Sequence, residues 1–239
     1  MSVLLEVCVD TIAGAHAAMR GGAGRVELCS ALSEGGLTPS TGLMQAAAAL
    51  DIPCYAMIRP RSGLFHFSPE EIDIMRADIR AARDAGLAGV VLGVQDETGA
   101  LNMPVMRQLM TEAAGLGTTL HRVIDVVPDP LAALDQAIEL GIERVLTSGA
   151  QPFAPDGTDL IRAMVQRSAG RISIMPGCGL TAENVGGVVA ATGVTEVHAS
   201  CAVPVTGDPA FSDFDPIGGR AETSEFATRN IIGSLVSQQ

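Results

Sequence analysis

Several short stretches of this chain carry side chains able to do chemistry. Glu6-x-Cys8 and Glu27-x-Cys29 repeat one pattern, and two thiolates on neighbouring elements suit a soft ion such as Cu(I). Arg59-Pro60-Arg61 holds two guanidinium groups around a proline, an arrangement suited to gripping a carboxylate or phosphate. His121-Arg122 with Asp125 sets an imidazole near a carboxylate, the pairing used in acid/base chemistry. Thr147-Ser148-Gly149 and Gly177-Cys178-Gly179 are small turns rich in backbone N–H, a type that binds phosphate. Glu196, His198 and Ser200 share one parity in a short apolar run.

The composition narrows what these groups can serve. The chain has 239 residues, is 47% hydrophobic and 18% charged, and so is globular in type. Its formal net charge is -12, which disfavours nucleic acid or an anionic membrane as partner. All 15 basic residues are Arg. A lysine Schiff base, a lysine general base and a P-loop are therefore excluded, and no nucleotide cofactor is indicated. No apolar run is long enough to span a bilayer. The amino terminus lacks the basic start of a signal peptide, so a cytoplasmic location with five reduced cysteines is expected.

The elements that position these groups alternate. Strand-like runs are expected at Val3 to Val9, Arg25 to Cys29, Pro53 to Arg59, Ala88 to Val94, Thr118 to Arg122, Arg144 to Ser148, Arg171 to Met175 and Glu196 to Ser200. Ala-, Leu- and Met-rich stretches of helical period lie between them. Thr38-Pro39, Asp129-Pro130 and Ser68-Pro69-Glu70-Glu71 read as helix starts, and Gly86, Gly115 and Gly141 as stops. Eight such units predict a single-domain (β/α)8 TIM barrel over residues 1–239. Residues 204–222 are expected to form a loop or extension before a last helix at Thr223 to Ser237.

Strand parity then sorts the side chains, because barrel strands alternate between lumen and helix layer. Glu6 and Cys8, then Arg25, Glu27 and Cys29, then Tyr55, Met57 and Arg59, then Thr119 and His121, then Glu196, His198 and Ser200 are expected to face inward. Arg25 is placed to neutralise Glu6, Glu27 or Glu196. Glu27, His121, Asp125 and Glu196 are candidate acid/base groups. Arg59, Arg61, Ser148, Gly149, Gly177 and Gly179 are candidate anion contacts.

In this order, Glu27-Leu28-Cys29, Glu34-Gly35-Gly36-Leu37-Thr38-Pro39-Ser40, Arg59-Pro60-Arg61, His121-Arg122 with Asp125, Leu146-Thr147-Ser148-Gly149 and Glu196-Val197-His198 resemble the CutC family over about residues 3 to 203. The family pattern is broken at Ser62-Gly63-Leu64-Phe65, where Leu64 stands in place of a carboxylate. The resemblance implies a (β/α)8 barrel in the cytoplasm, a role in copper homeostasis, and copper(I) held by Cys8 and Cys29. A homodimer or higher homo-oligomer is expected. Two other functions stay open at this point. One is a barrel enzyme acting on a small anionic molecule, and the other is a scaffold without chemistry.

Overall fold

A computed structural model describes residues 3–205 and 220–236. Eight parallel strands form its centre: β1 (Leu4–Val9), β2 (Arg25–Leu28), β3 (Cys54–Met57), β4 (Gly89–Leu92), β5 (Gly117–Leu120), β6 (Arg144–Thr147), β7 (Ser173–Pro176) and β8 (Glu196–Ala199). They neighbour one another in the order β7-β6-β5-β4-β3-β2-β1-β8. β7 and β8 also pack side by side, so the barrel is nearly closed. The expected (β/α)8 barrel is the fold.

Around the strands lie α1 (Ile12–Gly21), α2 (Thr41–Ala48), α3 (Pro69–Ala85), α4 (Met103–Glu112), α5 (Pro130–Glu139), α6 (Thr158–Ser168), α7 (Val185–Thr192) and α8 (Glu225–Val236). Their starts follow local chemistry. Ser68 and Glu71 close a reciprocal capping box on α3, and Gly86 ends that helix with φ 86°. Asp129 accepts from the Leu131 and Ala132 amides ahead of Pro130. Thr38-Pro39 does not start a helix. Ser40 is the cap of α2, accepting from the Leu43 amide, while the Thr38 hydroxyl accepts from the Arg59 amide.

β9 (Ala202–Val205) pairs antiparallel with β10 (Arg220–Thr223), so the described ends of the 204–222 stretch are strand. Residues 206–219 lie outside the described residues. Among the described residues, no helix is long and apolar enough to cross a membrane.

Two cores result from the alternation. Leu5, Val7, Val9, Val26, Leu28, Ala56, Ile58, Val90, Leu92, Val197 and Ala199 belong to the apolar layer between sheet and helices. Inside the barrel the apolar cluster is small: Cys29, Tyr55, Met57 and Val91. Tyr55 lies across the lumen against Gly89 and Gly117. A Cβ added at Gly117 would come 2.0 Å from its hydroxyl, so the ring requires glycine on β4 and on β5 beyond it. Beside this cluster the lumen holds a network of ion pairs.

An ionic and metal-ligating site in the barrel lumen

Strand register assembles the site. β1 lies between β8 and β2, which pairs Glu6 with His198 on one side and with Arg25 on the other. One pleat further along β1, Cys8 is level with Glu27. All these side chains point inward because their strand neighbours are apolar and claimed by the helix layer.

Glu6 is fully buried and central. One oxygen meets the Arg25 Nε, and the other lies 2.8 Å from His198 Nδ1. Arg25 Nη2 reaches Glu196 at 2.5 Å, and Glu196 also accepts from Arg144 Nε at 3.1 Å. Both guanidinium groups sit over the Tyr55 ring, 5.4 and 5.0 Å from its centroid, where cation–π attraction helps hold them. Removing charges from water is costly unless they are paired, and here each lumenal cation has a carboxylate partner.

The partners set the protonation states. Burial would raise the Glu6 carboxyl, but the His198 hydrogen bond and the charges of Arg25 and His198 outweigh it and hold it at about 2. Burial also opposes the charge on His198. Glu27, Cys8 and Glu6 overcome that and push its pKa well above 6.5. Burial pushes Glu27 up, against the pull of His198. The Cys29 thiol is pushed well above 9 by burial and by Glu27 beside it. It therefore stays protonated and donates to Glu27 at 3.6 Å.

At the mouth, Cys8, Glu27 and His198 bring one ligand atom each within 4.8 Å of one another. His198 Nε2 lies 3.8 Å from Glu27, whose other oxygen is buried without a hydrogen-bond partner among the described residues. The Cys8 sulfur interacts with His198 and makes a long 4.0 Å contact with the Ala199 carbonyl. A thiol, an imidazole and a carboxylate with spare lone pairs, converging from three strands, suit a thiophilic metal ion. His198 would donate its remaining N–H to Glu6, the supporting contact that fixes a ligating imidazole.

The sequence candidates divide in space. Glu27 stands at the cluster, and Glu196 lies one ion pair beyond Arg25. Cys29 adjoins Glu27 but is outside the converging trio. His121 and Asp125 are elsewhere. β5 ends at Leu120, so His121 is on a turn, 3% exposed, with its ring 4.6 Å from that of Phe65. Its Nδ1 accepts from the Val123 amide, and burial together with Arg59 lowers its pKa to about 3. Asp125 accepts from the Thr147 hydroxyl at 2.6 Å, the Ser148 and Ala150 amides at 3.0 Å, the Ser148 hydroxyl at 3.1 Å and Arg122 at 3.0 Å. The turn at Ser148 and Gly149 thus holds an anion already, and that anion is Asp125. These four carboxylate and imidazole candidates do not converge on one point.

Nor do Arg59 and Arg61 form an open fork. Arg59 is 7% exposed and donates to the carbonyls of Glu34, Gly36 and Gly63. Arg61 pairs with Glu71 at 2.5 Å and donates to the carbonyls of Ser62, Leu64 and His66. Both clamp loops. Gly177 sits under Leu146 and His198, where a Cβ would reach 2.6 Å from Leu146. Gly179 packs against Phe153 in the same way.

Residues 3–203 match the family model described as the CutC family. The chain belongs to the CutC family. A CutC family protein of Caulobacter vibrioides is 53% identical over 237 residues, covering 98% of this chain and 97% of the relative. One of Sinorhizobium medicae is 51% identical over 208 residues, covering 87% and 84%. Among solved structures, a Streptococcus agalactiae CutC named for copper homeostasis superposes with a TM-score of 0.79 at 32% identity, over 83% of this chain and 98% of the other. Thiamine phosphate pyrophosphorylase of Pyrococcus furiosus, at 15% identity and a TM-score of 0.62, shares the barrel alone.

His198 was absent from the acid/base and metal candidates drawn from the sequence, although its parity with Glu196 was visible. Pairing it with Glu6 and Cys8 requires knowing that β8 closes beside β1.

Proposed function

We propose that this CutC family member takes up Cu(I) as cargo at the barrel mouth, with Cys8 and His198 as the soft donors and Glu27 beside them. The observation that carries the reading is the convergence of these three side chains within 4.8 Å. Thiolate and imidazole are donors that hold Cu(I). The proposal moves the site from a Cys8–Cys29 pair to a trio in which Cys29 supports Glu27 by hydrogen bonding. Its setting is the cytoplasm, where reducing conditions keep both thiols free.

Binding must displace the His198 proton that faces Glu27, and the pKa of that imidazole is held well above 6.5, so affinity rises with pH. An anaerobic competition titration against a Cu(I) chelator of known affinity tests the reading. Cys8→Ser and His198→Gln are each expected to weaken binding more than tenfold, and Cys29→Ser less. Full affinity in Cys8→Ser would overturn the site. A donor set containing a carboxylate also suits Zn(II), so a parallel Zn(II) titration is included. Preference for Zn(II) would overturn the choice of copper.

A further inference from the structure

A cavity of about 560 Å³ opens at the barrel mouth beside the trio, a volume typical of small-molecule sites. Its walls include Cys8, His198, Arg122, Cys178, Gly179 and Leu180. The one carboxylate lining it among the described residues is Glu183, which is exposed at the rim.

Arg122 is a rigid cation on this wall. Its Nε is held by Asp125 at 3.0 Å and one Nη by the Ser148 hydroxyl at 2.8 Å. Asp125 does not line the cavity. Among the described residues the other Nη meets only the Cys178 sulfur, at 3.2 Å, and a thiol is a weak acceptor. Cys178 itself sits at φ +79°, a region that side-chain-bearing residues rarely occupy and that carries strain. Beyond it, the amides of Cys178, Gly179 and Leu180 donate to no acceptor among the described residues. A fixed guanidinium edge and three consecutive unpaired amides therefore adjoin one another on a cavity wall. Donors of this kind are matched by the oxygens of a carboxylate or phosphate.

We propose that the corner formed by Arg122 and Cys178-Gly179-Leu180 is an anion subsite. Its ligand is a small organic molecule whose carboxylate or phosphate sits on these donors and whose body extends over His198 and Cys8. Arg122, rather than Arg59 or Arg61, is the cation that selects it. The subsite stands whether or not Cys8 and His198 take up a metal ion.

Isothermal titration of metal-free protein with inorganic phosphate and, separately, succinate tests this. At least one probe is expected to bind at one site per chain. Binding of one probe and not the other identifies which of the two anion types the corner takes. Cys178→Asp sets a carboxylate against the free Arg122 edge, and aspartate tolerates the left-handed backbone better than most residues. That variant is expected to remain folded and to bind the probe at least tenfold more weakly. Arg61→Gln should bind like the wild type. No binding of either probe to the wild type, undiminished binding by folded Cys178→Asp, or loss of binding in Arg61→Gln would each overturn the proposal. The metal competition titration is a separate readout, so failure of one site is distinguishable from failure of the other.

Discussion

Replacing Arg25 by Met tests whether the lumenal network holds the barrel together. Arg25 is 4% exposed and lies between Glu6 and Glu196. Methionine keeps much of the volume and removes the charge, leaving Glu6 with His198 alone and Glu196 with Arg144. Glu6 titrates at about 2 instead of the ordinary 4.5, a difference worth about 3 kcal/mol at ~1.4 kcal/mol per pH unit. His198 contributes part of that difference. Glu196 also loses a partner, however, and breaking a buried ion pair from one side costs about 3–5 kcal/mol. The expected loss is therefore about 3–4 kcal/mol, set against a total domain stability of about 5–15 kcal/mol. Urea denaturation at pH 7 and 25 °C measures it.

Adding Glu6→Gln to Arg25→Met removes the stranded carboxylate and is expected to restore about 2 kcal/mol, which also keeps the test alive if the single variant barely folds. The pH dependence has a definite sign. A carboxyl whose folded pKa is lowered stabilises the fold above its unfolded pKa, and that contribution fades as pH falls from about 4.5 to about 2. The gap between wild type and Arg25→Met should shrink over that window. A loss under about 1 kcal/mol at pH 7, or no recovery in the double variant, would refute the reasoning.

Other consequences follow from single contacts. Asp125→Ala leaves the Ser148 and Ala150 amides without their acceptor. It is expected to cost about 3 kcal/mol in urea melts and to speed hydrogen exchange at those two amides, whereas unchanged exchange would remove Asp125 from its role in the turn. Arg59→Met frees the carbonyls of Glu34, Gly36 and Gly63, so limited proteolysis should cut within residues 31–37 or 62–65 faster than in the wild type, and an unchanged digestion pattern would count against the clamp. His121 is expected to stay neutral from pH 5 to 8, because burial and Arg59 hold its pKa at about 3. Nitrogen-15 spectra should place its proton on Nε2, since Nδ1 accepts from the Val123 amide. Titration near pH 6.5 would contradict that.

How far the sequence could be read depended on where each residue sat relative to a strand end. Glu6, Glu27 and Glu196 lie within strands, where a period of two leaves one choice of face, and all three are lumenal. His121 has the same parity as Thr119, but β5 stops at Leu120, and beyond a strand end alternation no longer fixes direction. Arg59 and Arg61 likewise follow the end of β3 at Met57. Their direction is set by loop carbonyls and Glu71, which composition does not reveal. The Ser148-Gly149 turn was recognisable as an anion binder, but its anion comes from Asp125, more than twenty residues earlier. Arg122 and Cys178 meet at 3.2 Å across 56 positions of sequence, a contact visible only once β5 and β7 stand in one barrel.

Copper K-edge absorption of the Cu(I)-loaded protein tests the proposed metal site most directly. The Cys8–His198–Glu27 arrangement predicts a first shell containing sulfur and imidazole nitrogen together in the wild type, with the sulfur contribution lost in Cys8→Ser. A shell of oxygen and nitrogen alone in the wild type, or sulfur scattering unchanged in Cys8→Ser, would contradict it.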